Sequence, residues 1–237
     1  MIKRIGLYSA VGVLIILFSI LIGNYAKPIG YLIMAKKGET APTIIIDAGH
    51  GGEDGGAQSI DGKTLEKDVN LAIAKDLKEI FLLAGFQVEM IREEDTAIYD
   101  NDAKSLRNKK VSDLRKRVEI ANSNPNNVLI SIHQNQFESS KYFGTQIFYS
   151  TNNPESNLLA EYVKKAVVGL MQPANTRETK PANKSIYLLS KATIPAIIVE
   201  CGFLSNAEES KKLIDPNYQK QMAFTIYCGF LDYYNSK

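Results

Sequence analysis

Three short apolar runs recur along the chain, and each of them leads into an ionisable side chain. They read T-I-I-I-D over 43–47, N-V-L-I-S-I-H over 127–133 and I-P-A-I-I-V-E over 194–200. Apolar runs of this length are typical of strands that are buried on both faces. His50 follows the first run, His133 ends the second and Glu200 ends the third. The pattern therefore predicts three buried strands that place polar groups at their carboxyl ends.

Helical signals alternate with the strand signals along the rest of the chain. Helices are predicted over 65–84, 111–121, 158–170, 206–213 and 222–233, further strands over 86–91 and 144–150, and polar loops over 93–110 and 172–184. Strands and helices that alternate in this order predict an α/β fold with a mostly parallel central sheet and helices on both faces.

The amino terminus carries a long stretch without charged residues, from Ile5 to Ala26, which Lys3 and Arg4 precede. Its length is about that needed to span a bilayer. A cleaved secretory signal and a retained anchor both leave the basic pair on the cytoplasmic side. We expect the anchor, because Asn24-Tyr25-Ala26 is a poor cleavage site. A mature protein that starts near Lys27 would contradict this expectation.

This interpretation divides the chain into an anchor over 1–26, a linker over 27–40 and an exported domain over 41–237. Five of the 28 basic residues and one of the 26 acidic residues precede residue 41, so the domain carries a net charge of −2. A nucleic-acid partner is excluded, because that class of protein needs a basic surface. Cys201 and Cys228 lie in apolar segments and are expected to be free, buried thiols.

A glycine-rich segment, G-H-G-G-E-D-G-G over 49–56, follows the first strand and lets the backbone approach a ligand closely. It lacks both the P-loop pattern and the spacing of a dinucleotide site, so a metal is favoured over phosphate. Because neighbouring strand ends lie about 4.8 Å apart, His50, His133 and Glu200 are expected to converge. Two imidazoles and one carboxylate are the protein ligands of a catalytic zinc site with one position left for water.

The residues alone leave open which carboxylate binds the metal. A hydrolytic zinc site needs a ligand set and a separate base that removes a proton from water. Glu66, at the start of the first helix, is the natural third ligand, which leaves Glu200 as the base. Asp47, Glu53 and Asp54 are rival ligands, and an acidic residue at a helix start is more often simply solvated.

Four stretches of the chain together resemble the zinc-dependent N-acetylmuramoyl-L-alanine amidases, which cut bacterial peptidoglycan. The stretches read I-I-I-D-A-G-H-G-G-E-D-G-G-A, L-E-K-D-V-N-L-A-I-A, S-I-H-Q-N-Q and I-P-A-I-I-V-E-C-G-F-L-S-N, and the resemblance covers about 41–233. It implies a phosphorylase/hydrolase-like α/β fold for the domain. It also implies zinc held by His50, Glu66 and His133, with Glu200 as the catalytic carboxylate.

Within that family the chain resembles in particular the sporulation amidases of spore-cortex synthesis, which remove the peptide from muramic acid before muramic-δ-lactam forms. The anchor, the bare catalytic domain and I-Y-L-L-S-K over 186–191 carry this resemblance. It implies action outside the cytoplasm, between forespore and mother cell, with an activating sporulation lipoprotein as a partner. Gln134 and Gln136 depart from the small residues that many family members have there, and they are expected either to narrow the groove or to alter its contacts.

Three other functions stay open. One is a vegetative autolysin of the same chemistry, and another is a zinc carboxypeptidase on peptide stems, which would need a cation such as Arg177 or Lys180 for the substrate carboxylate. The third is a non-catalytic wall-binding regulator, which predicts loss of a ligand or of Glu200. Cys201 has no free histidine beside it and is not expected to act as a nucleophile.

Overall fold

The computed structural model describes residues 41–237. The anchor predicted over 1–26 and the linker predicted over 27–40 lie outside these residues. Within 41–237, every helix is too short or too polar to cross a membrane.

Strands and helices alternate through most of the described chain. The strands are β1 (Thr43–Ala48), β2 (Gln87–Met90), β3 (Asn127–Asn135), β4 (Gln146–Tyr149), β5 (Lys180–Pro181) and β6 (Ala196–Phe203). The helices are α1 (Glu66–Leu83), α2 (Leu106–Ala121), α3 (Glu155–Leu170), α4 (Tyr187–Lys191), α5 (Ala207–Leu213) and α6 (Pro216–Asn235). The α/β class predicted from the sequence is confirmed.

The strands form one sheet in the order β2-β1-β3-β6-β4-β5. The first four are mutually parallel, whereas β4 runs antiparallel to β6 and β5 runs parallel to β4. The sheet is therefore mixed rather than parallel throughout. The cause is the connection over 136–145, which has no crossover helix and starts at the carboxyl end of β3. A strand that begins at that edge without a crossover has to run back in the opposite direction.

Helices cover both faces of the sheet, as predicted. On one face, Ile45, Leu129 and Ile198 form a buried cluster with residues of α2 and α4, among them Ala121 and Leu188. Side chains alternate between the faces of a strand, so the neighbouring apolar residues point to the opposite face. There α1 and α3 pack on the sheet, and α6 packs on both of these helices.

Several boundaries differ from the predicted ones. Helix α2 begins at Leu106 rather than at 111. The Ser105 hydroxyl caps its first turn by accepting a hydrogen bond from the Asn108 amide at 3.1 Å. This first turn has no apolar stripe, so the hydrophobic pattern did not predict it. Strand β6 continues beyond Glu200, and its Phe203 pairs with Asn135 of β3. No predicted element corresponds to β5 or α4, which have two and five residues and are too short to show periodicity.

Helix α6 approaches α3 closely at Gly229. A Cβ atom at this position would lie 2.4 Å from the Cα atom of Val163, so the contact accepts only glycine without movement of the backbone. At Gly169, which is exposed on α3, an added Cβ atom would meet nothing within 4 Å.

We expect Gly229→Ala to lower the free energy of unfolding by about 1–3 kcal/mol, because the methyl group overpacks the contact between α6 and α3. The matched variant Gly169→Ala should raise it by up to about 1 kcal/mol, since alanine is the better helix former. Urea unfolding followed by circular dichroism measures both. Equal effects of the two substitutions would contradict this account of the packing.

Candidate metal centre

Adjacent strands bring three of the predicted site residues to one edge of the sheet. Strands β1, β3 and β6 are neighbours, and His133 pairs in register with Glu200. His50 lies two residues beyond the end of β1, and the Gly49 amide before it donates to the Ile132 carbonyl at 3.0 Å. The histidine rings are 5.1 Å apart between centroids. The structure thus places His50, His133 and Glu200 together, as the strand pattern predicts.

Glu66 lies between the two histidines. It is the first residue of α1, and its side chain is 4% exposed. Its Oε1 is 2.9 Å from Nδ1 of His133, and its Oε2 is 3.2 Å from Nε2 of His50. One potential ligand atom from each of the three side chains falls within 4.8 Å of the others. These three residues therefore form a group that could hold a metal ion, and their donor atoms match the two-histidine, one-carboxylate set of catalytic zinc sites.

The three rival carboxylates have other partners. Asp47 is buried and pairs with the guanidinium of Arg117, while Glu53 pairs with a lysine on the surface. Asp54 contacts Nδ1 of His50 at 3.0 Å, on the side of the ring that faces away from Glu66. A carboxylate in this position fixes the orientation of a histidine ligand and leaves its other nitrogen free for a metal.

The charges of the site favour a bound cation. Burial alone would raise the pKa of Glu66, but its contacts with His133 and His50 outweigh burial and hold the pKa far below its usual range. Burial would lower the pKa of His50, whereas its contacts with Asp54 and Glu66 raise that pKa to about 9. Without a metal, a proton on His50 thus supplies the positive charge that these carboxylates attract. A metal ion would take over that role, because it needs neutral imidazole ligands.

Main-chain and side-chain donors fix the Glu66 carboxylate further. The amide of Ala57 donates to Oε2 at 2.7 Å, and the amide of Gln134 donates to Oε1 at 3.0 Å. The side-chain amide of Asn70, one turn further along α1, donates to Oε1 at 3.3 Å and to the Gly49 carbonyl at 3.1 Å. These bonds leave the carboxylate in a single orientation toward the histidines.

Two glycines make room for this arrangement. A Cβ atom at Gly49 would lie 2.2 Å from the ring of His133. Gly56 has φ = +68°, and a Cβ atom there would lie 2.5 Å from Oε2 of Glu66. The glycine-rich segment is therefore required by the close approach of the backbone to two of the three potential ligands.

Two buried arginines hold the backbone around His50, and the sequence analysis missed both. Arg92 donates to the carbonyl groups of Ala48 at 2.7 Å and Gly49 at 3.1 Å. Arg117 donates to the carbonyl of Ala48 at 3.1 Å and to that of His50 at 2.7 Å. His50 has φ = 63°, a left-handed conformation that costs free energy for a residue other than glycine. The arginine contacts stabilise this strained backbone.

The position of Arg117 in the sequence could have predicted that its side chain is buried and paired. It lies three residues after Leu114 and one before Val118, on the apolar side of α2, where a charged residue needs a buried partner. Asp47 is that partner, and its second oxygen accepts a hydrogen bond from the Ser131 hydroxyl at 2.6 Å.

Glu200 differs from the other carboxylates of the site. Its Oε2 atom is buried and has no hydrogen-bond partner within residues 41–237. Burial raises the pKa of Glu200 to about 7, although His133 opposes the shift, and the charge of Glu66 adds to it. A carboxylate with this pKa can both accept and release a proton near neutral pH.

A cavity of about 390 Å³ opens beside the metal centre, on the face of the sheet that α2 and α4 cover. His50 and His133 line its inner end, and its walls include Tyr99 from the loop before α2, Leu114 from α2 and Tyr187 from α4. Because α4 was missed, Tyr187 was missed as a cavity residue as well.

Other predicted residues lie away from this cavity. Gln134 does not narrow the groove, because its side chain is buried and its amide donates to Oδ1 of Asn70 at 3.2 Å. Arg177 and Lys180 do not line the cavity. Cys201 and Cys228 are free and buried, as predicted, and burial raises the pKa of both thiols.

Comparison with known proteins agrees with this geometry. The model of the family described as N-acetylmuramoyl-L-alanine amidase matches residues 44–231. A germination-specific N-acetylmuramoyl-L-alanine amidase of Bacillus subtilis (strain 168) is 38% identical over 194 residues, which cover 82% of this chain and 80% of the relative.

Two solved structures are also similar. The CwlD amidase from Clostridioides difficile, solved in complex with the GerS lipoprotein, superposes with a TM-score of 0.79 at 41% identity and covers 83% of this chain and 100% of that one. An N-acetylmuramoyl-L-alanine amidase from Clostridium difficile 630 has a TM-score of 0.71 at 33% identity, over 84% of this chain and 100% of that one. The resemblance seen in the sequence is confirmed: the chain belongs to the N-acetylmuramoyl-L-alanine amidase family.

Proposed function

We propose that this amidase binds one zinc ion through His50, Glu66 and His133, and that Glu200 is its general base. The amide bond that it cleaves joins the lactyl group of N-acetylmuramic acid to L-alanine. The observation that carries the proposal is the buried carboxylate of Glu66 between two imidazoles, with an unpartnered oxygen of Glu200 beside them.

Each residue of the proposed site has a separate role in the reaction. Bound zinc supplies a Lewis acid for the scissile carbonyl and lowers the pKa of water to about 7. Glu200 removes a proton from the attacking water and returns it to the amine of L-alanine as that amine departs. Asp54 holds the ring of His50 through Nδ1. Cys201 takes no part, because its buried thiol has a raised pKa and cannot form a thiolate at neutral pH.

The ligand and base roles predict different losses on substitution. His50→Ala, His133→Ala and Glu66→Gln should each abolish stoichiometric zinc binding, because a site with two protein ligands holds the ion weakly. Glu200→Gln should keep zinc but lower turnover of purified cell wall by about 10²–10⁴-fold, the usual contribution of a general base. Metal analysis and release of L-alanine amino termini measure the two effects.

One pattern of losses would contradict this assignment of the ligand and base roles. If Glu200→Gln loses zinc while Glu66→Gln retains both zinc and turnover, the two roles are assigned wrongly. Cys201→Ala serves as the control, since it changes a buried residue next to Glu200 without adding a polar group, and it should leave zinc content and turnover within about twofold of the parent.

Arg117 holds the backbone of His50, so its substitution should weaken zinc binding. Arg117→Lys keeps a positive charge opposite Asp47 but cannot make the same fork of contacts with the Ala48 and His50 carbonyl groups. We expect zinc affinity to fall by about 10–100-fold, as for other residues that orient metal ligands. Competition with a chromophoric chelator measures the affinity.

The control is Arg115→Lys, the same substitution on the exposed side of α2. It should leave zinc affinity unchanged. Equal affinities of Arg115→Lys and Arg117→Lys would show that the contact with the His50 carbonyl does not position this ligand.

The biological setting that we propose is the spore cortex, where the enzyme would remove peptides before muramic-δ-lactam forms. The proposal rests on the similarity to a germination-specific amidase and to CwlD over most of the length of both proteins. A vegetative autolysin with the same chemistry is the alternative. The carboxypeptidase alternative is disfavoured, because the guanidinium of Arg177 packs on Phe203 and Tyr142 instead of facing the cavity.

A lipoprotein partner would strengthen zinc binding by this domain. The similar CwlD amidase was solved in complex with the GerS lipoprotein. In the absence of zinc, the segment over 49–66 has to hold a strained His50 and a buried Glu66 by hydrogen bonds alone. A partner that held this segment in place would raise zinc affinity by mass action.

Titration calorimetry of zinc into the purified domain tests the need for a partner, together with an assay on isolated cell wall. We expect weak or substoichiometric binding and low turnover by the domain alone. Tight stoichiometric binding with full turnover and no added protein would remove the case for an activator.

A further inference from the structure

Exposed aromatic rings cluster on the loop over 136–145, at the carboxyl end of the sheet. Phe137, Tyr142 and Phe143 are 54%, 44% and 52% exposed. Together with Arg177 they form a surface that we call the aromatic platform. Rings that are half exposed to water within ten residues of one another are unusual for a surface without a ligand.

The platform is ordered by contacts among its own members. The rings of Phe137 and Tyr142 meet edge to face with centroids 4.8 Å apart, and Tyr142 stacks on Phe203 at 6.1 Å. The guanidinium carbon of Arg177 lies 4.6 Å from the ring centroid of Phe203 and 5.6 Å from that of Tyr142. Arg177 is therefore a cation stacked on one exposed ring, that of Tyr142, and on the buried ring of Phe203.

Hydrogen bonds connect the loop that carries the platform to the segment after β6 and to α5. The Phe137 amide donates to the Ser205 hydroxyl at 3.0 Å, and the Gly144 amide donates to Oε1 of Glu209 at 2.9 Å. The side-chain amide of Asn206 donates to the Ser140 carbonyl at 2.9 Å. Little conformational entropy would thus be lost when a ligand binds these rings, which is the advantage of a preorganised surface.

The platform lies beside the carboxyl edge of the sheet that carries Glu200, and it is separate from the cavity. Its loop starts where β3 ends and crosses to β4 on the far side of β6. Phe203 follows Glu200 by three residues on β6, which is roughly 10 Å along a strand. None of the platform residues lines the cavity, whose walls include Tyr99 and Tyr187.

We propose that the aromatic platform binds the glycan strand, at the sugars next to the muramic acid whose peptide is removed. The inference rests on the proposed function, since a strand whose lactyl amide is at the zinc site has to continue past one side of it. The apolar C–H face of a pyranose ring fits an aromatic ring, and its hydroxyl and acetamido oxygens accept hydrogen bonds.

Charge and hydrogen bonding on the platform suit this ligand. Glu138 and Lys141 are the charged residues of the loop over 136–145, so the loop itself has no net charge. Arg177 uses Nε to donate to the Phe143 carbonyl at 2.8 Å. Its terminal N–H groups have no hydrogen-bond partner within residues 41–237 and are available to sugar oxygens. A protein partner such as a lipoprotein is the competing occupant.

The test measures affinity for peptide-free glycan strands of alternating N-acetylglucosamine and N-acetylmuramic acid, with the zinc-loaded full chain in detergent. Such strands cannot be cleaved by an amidase, so binding is separated from turnover. Tyr142→Ala and Phe137→Ala should each weaken strand binding by roughly tenfold, as truncation of an aromatic anchor does. Tyr142→Trp should retain binding, because it keeps the aromatic face. The matched control is Leu83→Ala, which removes an 80% exposed apolar side chain from α1 and should change nothing.

Turnover of intact cell wall by the parent enzyme is measured in parallel and decides the proposed function independently. If the parent cleaves the lactyl amide but both alanine variants bind strands within about twofold of Leu83→Ala, the glycan proposal is overturned. The proposal is also overturned if the alanine variants bind glycan strands as the parent does but no longer form a complex with a purified lipoprotein. That result would assign the platform to a protein partner. A drop in affinity that Tyr142→Trp does not share supports the proposal, since a merely folded loop would not discriminate between the two variants.

Discussion

The buried carboxylate of Glu66 is the constraint on which the site depends. Removing a carboxylate from water is costly unless positive or hydrogen-bonding groups surround it. Here two main-chain amides, the side chain of Asn70 and the rings of His50 and His133 do so. A carboxylate held in this way stays ionised and keeps both imidazoles within a few ångströms. The contacts that allow the fold to bury this charge also arrange the three side chains as a group that could hold a metal ion.

The position of His50 depends less on the strand that precedes it than on the hydrogen bonds that its own and the neighbouring carbonyl groups accept. The glycine-rich segment would be free to take many conformations, and its carbonyl oxygens point into the protein. Arg92 and Arg117 bind three consecutive carbonyl groups, and Asp47 in turn neutralises Arg117. These contacts restrict a segment that would otherwise be flexible, and such partial preorganisation favours metal binding.

Three features lie at or beside the carboxyl edge of the sheet. They are the cavity, the group formed by His50, Glu66, His133 and Glu200, and the aromatic platform on the loop between β3 and β4. Glu200 differs from Asp47 and Asp54, because its Oε2 atom is buried and has no hydrogen-bond partner within residues 41–237. The proposed substrate is a glycan with a peptide branch, so its strand and its stem would leave the scissile bond in different directions. The cavity and the platform are two separate surfaces that could each take one of them.

The sequence by itself determined the features that depend on local pattern and chain order. Apolar runs predicted β1, β3 and β6, and because such strands pair as neighbours, His50, His133 and Glu200 were expected to converge. Only the tertiary structure decided the rest. It places Glu66, the ligand that the resemblance implies, between the two rings, whereas Asp47, Glu53 and Asp54 have other partners. It also made the sheet mixed and brought the arginines, Tyr187 and the aromatic platform to the site, because contacts between residues far apart in the chain leave no periodic signal in the sequence.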